Sequence, residues 1–175
     1  MKVIDTNIPD LKILEPACFS DDRGWFMEAW NQFTFDSLVA ERKFLQDNHS
    51  VSHKGVLRGL HYQTDPKAQG KLVRVIKGSA FDVAVDIRFG SKTYGQYFSI
   101  ELSEENKKML WIPEGFCHGF LALEDDTHFH YKTTEVYDRE SERAFKWNSP
   151  KLGIQWPDCG PLRISEKDLI APDFF

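Results

Sequence analysis

The sequence has few cysteines, no long apolar run and no excess of positive charge. Three cysteines, Cys18, Cys117 and Cys159, are too few and odd in number for a disulfide framework, so we expect free thiols and a cytoplasmic protein. No stretch approaches the roughly 20 apolar residues of a membrane span, and the N-terminal residues lack the apolar core of a signal peptide. We therefore expect neither a membrane partner nor a signal peptide.

The charge balance of the chain argues against binding to nucleic acid. Lysine and arginine number 22 against 27 aspartates and glutamates, which gives a formal net charge of −5. A nucleic-acid or anionic-membrane binder needs a basic face, because counterion release supplies much of its binding free energy. This composition leaves room only for a local basic pocket, so we expect no nucleic-acid partner.

The length and the spacing of apolar residues predict one all-β domain over residues 1–175. Between Ala80 and Arg88 the side chains alternate with a period of two, which is typical of a strand. About ten such short segments, broken by Gly, Pro, Asn and Asp, indicate a barrel or a sandwich. Two helical segments are predicted, one near residues 33–43 and a short one in SEKDLI, where Ser165 is the N-cap.

The segment GVLRGLHYQ, residues 55–63, contains one histidine in a strand-like setting. His61 has three interpretations at this point: a packed core residue, a metal ligand or a base. Gly55 and His61 resemble the start of a cupin metal motif, and PEGFCH, residues 113–118, resembles its second half. Gln63, and Lys67 or Ala68, stand where that motif has its second histidine and its glutamate, so we expect a cupin-type jelly roll without a catalytic metal.

The second metal-like pair is His128 and His130 in THFHYKTT. On a strand these two histidines point to one side and Tyr131 points to the other. If Tyr131 lines a barrel, both histidines face outward. We therefore interpret them as surface residues and not as ligands, and we assign no role to His49 or His53.

Six segments taken together resemble the dTDP-4-dehydrorhamnose 3,5-epimerase family: FSDDRGWFMEAW, FLQDNHSVSHKGVLRGLHYQ, AQGKLVRVIKG, DVAVDIR, LWIPEGFCHGF and YKTT. The likeness runs from about residue 10 to SEKD near the C-terminus. It implies a cupin-type jelly-roll β-barrel with a few short helices, no metal and no cofactor. It also implies epimerisation at C3 and C5 of a nucleotide-linked 4-keto-6-deoxy sugar, on the route to dTDP-L-rhamnose.

This reaction defines the groups that the site must supply. The C4 ketone acidifies the hydrogens at C3 and C5, so inversion needs a base, a stabiliser for the enolate oxygen and an acid on the opposite face. The resemblance matches His61 to the base, with Asp168 as the carboxylate that orients it. Tyr131 matches the acid, and Lys71 is our candidate for the oxyanion.

The resemblance also marks residues for substrate binding. A guanidinium fork suits phosphate oxygens, and the arginines assigned to the diphosphate are Arg58 and Arg23. The remaining assignments are to nucleotide, sugar or phosphate: Phe26, Glu28, Gln46, Asn48, His118, Glu142 and Lys167. In relatives the segment that holds Phe26 and Glu28 reaches into the neighbouring subunit, which implies a homodimer with shared active sites.

One conflict and several alternatives stay open. His61 and Arg58 are three residues apart, so a regular strand puts them on opposite faces. Either Gly59 forms a bulge or Arg58 reaches the ligand around an edge. The alternatives to the C3 and C5 epimerase are an enzyme that inverts one centre of a related sugar nucleotide, a non-catalytic sugar-nucleotide-binding cupin, and a metal-dependent cupin oxygenase or isomerase.

Overall fold

The computed structural model describes residues 1–175 as an all-β structure with two short helices. In chain order the elements are β1 (Lys2–Asp5), β2 (Lys12–Glu15), β3 (Cys18–Asp21), β4 (Gly24–Met27), α1 (Gln32–Leu38), β5 (Gln46–Ser52), β6 (Val56–Gln63), β7 (Lys71–Lys77), β8 (Ser79–Asp86), β9 (Tyr97–Ser103), β10 (Met109–Ile112), β11 (Phe116–Ala122), β12 (Thr127–Thr133), β13 (Glu142–Ala144), β14 (Arg163–Ile164) and α2 (Glu166–Leu169). The predicted all-β class is confirmed.

Two sheets face each other. The first has the strand order β1-β2-β10-β7-β12-β5, and the second has the order β13-β6-β11-β8-β9, with β14 added parallel to β6. The strands β3 and β4 pair only with each other. No strand bridges the two main sheets, so the predicted barrel is an open jelly roll and is not closed by hydrogen bonds.

The main core lies between the two sheets. It contains Val73, Ala84, Leu110, Phe120 and Phe129, together with other buried residues from both sheets. Two further clusters cover the outer faces, one behind β8 and β11 and one between α1 and the first sheet. Strands β8 and β11 are therefore buried on both faces, which leaves a charged side chain on either strand no route to solvent.

Both helices begin at a capping side chain. The Asn31 side chain accepts a hydrogen bond from the Thr34 N–H, and the Ser165 side chain accepts one from the Asp168 N–H, as predicted for SEKDLI. The first helix is shorter than the predicted 33–43 segment, because the backbone leaves the helical region at Val39. Neither helix is long and apolar enough to cross a membrane.

A bulge in β6 settles the conflict between Arg58 and His61. His61 pairs with His118, and Arg58 pairs with Phe120, so three steps on β6 oppose two steps on β11. Gly59 is the residue between them with φ +128, and a Cβ there would lie 2.5 Å from the Gly119 Cα. The extra residue turns Arg58 and His61 to the same side of the sheet, so the first of the two open alternatives is correct.

Candidate active site

A cavity of about 590 Å³ opens between the two sheets. A smaller pocket of about 160 Å³ adjoins it, because His61, Lys71 and Tyr131 line both. The sequence-predicted residues that line one or both are Gln46, Asn48, Arg58, His61, Lys71, His118, Tyr131, Glu142, Lys167 and Asp168. The other three, Arg23, Phe26 and Glu28, lie elsewhere.

The His61 ring is bonded to a carboxylate from α2. His61 Nε2 lies 2.6 Å from Asp168 Oδ1, and the Gly59 N–H donates to Asp168 Oδ2 at 3.4 Å. The Asp168 side chain is 3% exposed, whereas the His61 side chain is 30% exposed at the cavity. The carboxylate therefore fixes one nitrogen of the ring and leaves Nδ1 as the nitrogen that can accept a proton.

The electrostatics of this pair favour an ionised carboxylate. Burial alone raises the pKa of Asp168, but the hydrogen bond and the charge of His61 outweigh that effect. The bonds from Gly59 and Ser165 act in the same direction, so the pKa of Asp168 lies below its ordinary value. An anion held here stabilises a positive charge on the imidazole.

Lys71 is the only lysine or arginine in the chain with a buried side chain. Its Nζ donates to the His61 carbonyl oxygen at 3.3 Å, and it lines the cavity beside His118. Burial lowers the pKa of Lys71 to about 8, although Cys117, Asp82 and Glu142 oppose that change. A cation so weakly solvated interacts strongly with a negative charge that develops near it.

Tyr131 lines the cavity from β12, opposite the sheet that carries His61. Burial raises the pKa of Tyr131, against a lowering by the charge of Arg58. The neighbours His128 and His130 face outward, as predicted, and His49 Nε2 lies 3.0 Å from His128 Nδ1. No group of three or more His, Cys, Asp or Glu side chains is arranged to hold a metal ion.

Cationic side chains surround the opening of the larger cavity. Arg58 and Lys167 line it, together with Arg163, which the sequence analysis did not select. Lys167 Nζ pairs with Glu142 Oε2 at 2.5 Å, and Tyr137 Oη donates to the same carboxylate oxygen at 3.0 Å. Burial raises the pKa of Glu142, but these two bonds outweigh it and hold that pKa below its ordinary value.

Amide groups and three tyrosines, Tyr62, Tyr131 and Tyr137, line the smaller pocket. Gln46 Nε2 donates to Asn48 Oδ1 at 2.9 Å, so the two amides share one face of β5, as predicted. The Tyr137 N–H donates to Gln46 Oε1 at 2.8 Å, which fixes the loop that carries the Tyr137 ring. The sequence analysis missed Tyr137, and its one signal was an aromatic residue in the polar stretch TTEVYDRE.

The β3–β4 hairpin does not reach the cavity of its own chain. Arg23 pairs with Asp21, and Glu28 accepts a hydrogen bond from Asn31. The Phe26 side chain is 69% exposed, and Trp25 and Phe19 are also more than half exposed. The structure therefore assembles ten of the thirteen predicted residues and leaves three on an exposed hairpin.

A second imidazole–carboxylate pair lies deeper in the fold. His118 Nε2 donates to Asp82 Oδ2 at 2.8 Å, and His118 also lines the cavity. Asp82 is fully buried on β8. Asp82 lies in the segment Ala80 to Arg88, which was predicted as a strand, but it was given no role from the sequence. An acidic residue in a strand that is apolar on its other face was the available signal.

Comparison with known proteins identifies the family. The profile described as dTDP-4-dehydrorhamnose 3,5-epimerase matches residues 5–175. An enzyme of that name from Shigella flexneri is 53% identical over 175 residues, which cover 99% of this chain and 96% of the relative.

Solved structures agree with this match. One is a dTDP-6-deoxy-D-glucose-3,5-epimerase, RmlC, from Legionella pneumophila Philadelphia 1 in complex with dTDP-4-keto-L-rhamnose; it has a TM-score of 0.96, 47% identity and coverage of 98% of this chain and 92% of that one. ChmJ, a 3'-monoepimerase from Streptomyces bikiniensis in complex with dTDP-quinovose, has a TM-score of 0.90, 32% identity and coverage of 96% and 85%. The chain belongs to the dTDP-4-dehydrorhamnose 3,5-epimerase family.

Proposed function

We propose that this member of the family converts dTDP-4-dehydro-6-deoxy-glucose to dTDP-4-dehydro-L-rhamnose by inverting C3 and C5, with His61 as base and Tyr131 as acid. One observation carries the assignment of roles. His61 and Tyr131 line the same cavity from opposite sheets, Lys71 lines it too, and Asp168 Oδ1 lies 2.6 Å from His61 Nε2. A sugar ring held in this cavity has a base on one face and an acid on the other.

Proton removal begins at His61. Its Nδ1 takes the hydrogen from C3 or C5, and the electron pair of the broken C–H bond moves through the enolate to the C4 oxygen. Asp168 holds the ring through Nε2 and stabilises the imidazolium that forms. A positioned base of this kind contributes on the order of 10²–10⁴ in rate.

The enolate oxygen is the charge that Lys71 stabilises. Its ammonium group lies in the cavity wall beside His61 and His118, and both can approach the same sugar. Because the Lys71 side chain is buried, its cation lowers the energy of the oxyanion more than it would in solvent.

Reprotonation from the opposite face completes each inversion. The Tyr131 hydroxyl delivers a proton to the carbon, and the phenolate then recovers a proton from solvent while the His61 imidazolium releases one. A phenol whose pKa is raised by burial keeps its proton until the carbanion is present. Neither step draws on a redox cofactor, so we propose that the enzyme works without one and without a catalytic metal.

The nucleotide end of the substrate fits the polar part of the site. Arg58, Arg163 and Lys167 provide the positive charge that a diphosphate requires. Gln46, Asn48 and Tyr137 offer hydrogen bonds and an aromatic face for a nucleobase. Two relatives of known structure are in complex with dTDP-sugars, which supports a substrate of this class.

We propose a single domain over residues 1–175 that works as a homodimer with shared sites. The support is the hairpin: Arg23, Phe26 and Glu28 are exposed and remote from their own cavity, although the family resemblance assigns them to the substrate. A partner subunit would supply the surface that Phe19, Trp25 and Phe26 lack. The cytoplasmic location stays a prediction, consistent with three free cysteines.

The nearest alternative is inversion at a single centre. ChmJ, named a 3'-monoepimerase, shares the fold at 32% identity, so the fold alone does not separate the two outcomes. A metal-dependent cupin is disfavoured by Gln63, which stands at a ligand position. Its amide donates to the Lys67 and Val136 carbonyl oxygens and accepts from the Asp138 N–H, so it is fully engaged in structure.

Deuterium exchange tests the proposal. The 4-keto sugar nucleotide is incubated in deuterated water with the wild type, His61→Asn and Tyr131→Phe, and both exchange and product are measured at C3 and C5. We expect exchange at both centres with the wild type, loss of exchange and of product with His61→Asn, and exchange without inversion with Tyr131→Phe.

Each contrary result has a distinct meaning. Exchange retained in His61→Asn removes His61 from the base role. Equal loss of exchange and inversion in Tyr131→Phe assigns Tyr131 to enolate formation or to substrate placement. With the wild type, exchange at one centre supports the single-centre alternative. The absence of exchange supports the alternative of a non-catalytic cupin that only binds a sugar nucleotide.

A further inference from the structure

The Asp82 carboxylate is buried in the centre of the fold, and only one of its two oxygens is hydrogen-bonded. It lies on the inward face of β8 with Ala80 and Ala84, and it is 0% exposed. Its Oδ2 accepts the bond from His118, whereas its Oδ1 is buried and has no hydrogen-bond partner. A buried anion with an unpartnered oxygen is costly unless a positive charge compensates it.

The other two buried carboxylates are compensated locally. Asp86 is bonded by Arg88, Ser91 and Thr93, and Asp168 is bonded by His61 and the Gly59 N–H. For Asp82 the structure offers one histidine bond and one buried cation of the interior, Lys71. Lys71 is therefore the buried cation that can compensate the charge of Asp82.

The titratable groups near Lys71 come from five strands. They are His61 on β6, Asp82 on β8, Cys117 and His118 on β11, Tyr131 on β12 and Glu142 on β13. Burial raises the pKa of the Cys117 thiol to about 12, so this group carries no charge near neutral pH. Glu142 is already paired with Lys167 at the cavity edge. Asp82 remains as the anion that can keep Lys71 charged.

We propose that Asp82 is a positioning residue for the epimerisation, which holds the His118 ring against the cavity and keeps Lys71 in its ammonium form without touching the sugar. The inference rests on the proposed role of Lys71 at the C4 oxygen. It extends that role, because an active site that uses a buried lysine as a cation must prevent that lysine from losing its proton at working pH.

The test is the pH profile of kcat/KM for Asp82→Asn. Asparagine keeps the shape and can still accept the His118 bond, but it removes the charge. The ammonium form of wild-type Lys71 is lost as pH rises through about 8, so the wild-type profile falls above that value. In Asp82→Asn the fall moves to lower pH by about one unit.

Asp86→Asn is the matched control, because Asp86 is a fully buried carboxylate on the same strand and is bonded to Arg88. It is expected to lower stability and to leave the position of the alkaline fall unchanged. An unshifted profile in Asp82→Asn overturns the inference, and an equal shift in both variants does so too, since it indicates general loosening.

A second measurement covers the case in which Asp82→Asn does not fold. The double variant Lys71→Met with Asp82→Asn leaves neither charge unpaired, so it should fold and unfold at higher denaturant than either single variant. A double variant less stable than both single variants overturns the inference. The proposed function fails separately: full activity in Lys71→Met, with the alkaline fall retained, removes Lys71 from the oxyanion role whatever Asp82 does.

Discussion

The cavity and the β3–β4 hairpin carry residues that the family resemblance assigns to the same substrate, yet their surroundings are opposite. In the cavity the Asp168 side chain is 3% exposed and is bonded from two sides. On the hairpin the Arg23 side chain is 85% exposed and its only ionic partner is Asp21, two residues away. One region is enclosed by other elements of the chain, and the other is open to solvent.

The difference separates two demands on an enzyme. Groups that move protons must be held in a fixed geometry before the substrate arrives, because small displacements reduce the rate steeply. Groups that bind the distant nucleotide tolerate a looser setting and can come from a partner. The residues proposed to transfer protons, His61 and Tyr131, lie within the two sheets of the chain, whereas part of the set proposed to bind the nucleotide lies outside them.

The largest expected effect is a split between kcat and KM. Asp168→Asn removes the charge that supports the His61 imidazolium, and we expect kcat to fall on the order of 10²–10⁴ with little change in KM. Arg23→Ala removes one charged contact with the diphosphate, and we expect KM to rise roughly 10- to 100-fold with kcat nearly unchanged. Steady-state kinetics measure both. A fall in kcat of equal size in Arg23→Ala would end the distinction between the two regions.

A smaller effect is expected from mixing subunits. When His61→Ala and Arg23→Ala protomers exchange at equal concentration, about half of the dimers are hybrids, and each hybrid has one intact shared site. About a quarter of all sites is then active, which is measured as product formation at substrate concentrations below the KM of Arg23→Ala. Unmixed variants are the controls. Mixtures that exchange subunits and stay inactive would show that the hairpin serves its own chain.

The smallest effect concerns two glycines with nearly the same φ. Gly59 has φ +128 and Gly24, in the hairpin, has φ +132, so alanine costs about 1–3 kcal/mol of backbone strain at either. Only at Gly59 does the added Cβ meet other backbone atoms, 2.5 Å from the Gly119 Cα, whereas nothing lies within 4 Å at Gly24. We expect Gly59→Ala to be less stable than Gly24→Ala by about a further 1–3 kcal/mol in denaturant unfolding. Equal destabilisation would mean that β6 and β11 can move apart.

The parts of the site that follow from strand alternation could be predicted from the sequence. A period of two is enough to predict that Tyr131 points inward and that His128 and His130 point outward. It also predicts that Gln46 and Asn48 share one face of their strand. A bulge at Gly59 could be proposed from the sequence as one of two alternatives, but the sequence could not decide between them. The alternation within β6 contains no information about the register of β6 with β11.

Other features depend on contacts that local sequence does not encode. The helix predicted to residue 43 ends at Leu38, because Phe35 packs against Trp111 and Phe44 and the chain turns to bring Phe44 to them. The role of Asp82 requires knowing that both faces of β8 are buried. Tyr137 lies in a loop, where no periodicity exists to assign its direction.

The short segment from Arg163 to Leu169 makes the integrity of the active site depend on the local stability of one part of the chain. It supplies Arg163, Lys167 and Asp168 to the cavity. Its backbone pairs with β6 at only two residues, Arg163 and Ile164, and the Asp168 side chain adds bonds to Gly59 and His61. Segments held by few bonds open at a lower free energy than the sheets on which they lie. Catalysis therefore depends on how often this segment detaches. A molecule in which both sheets are intact but this segment is detached lacks Asp168 at the cavity and is inactive.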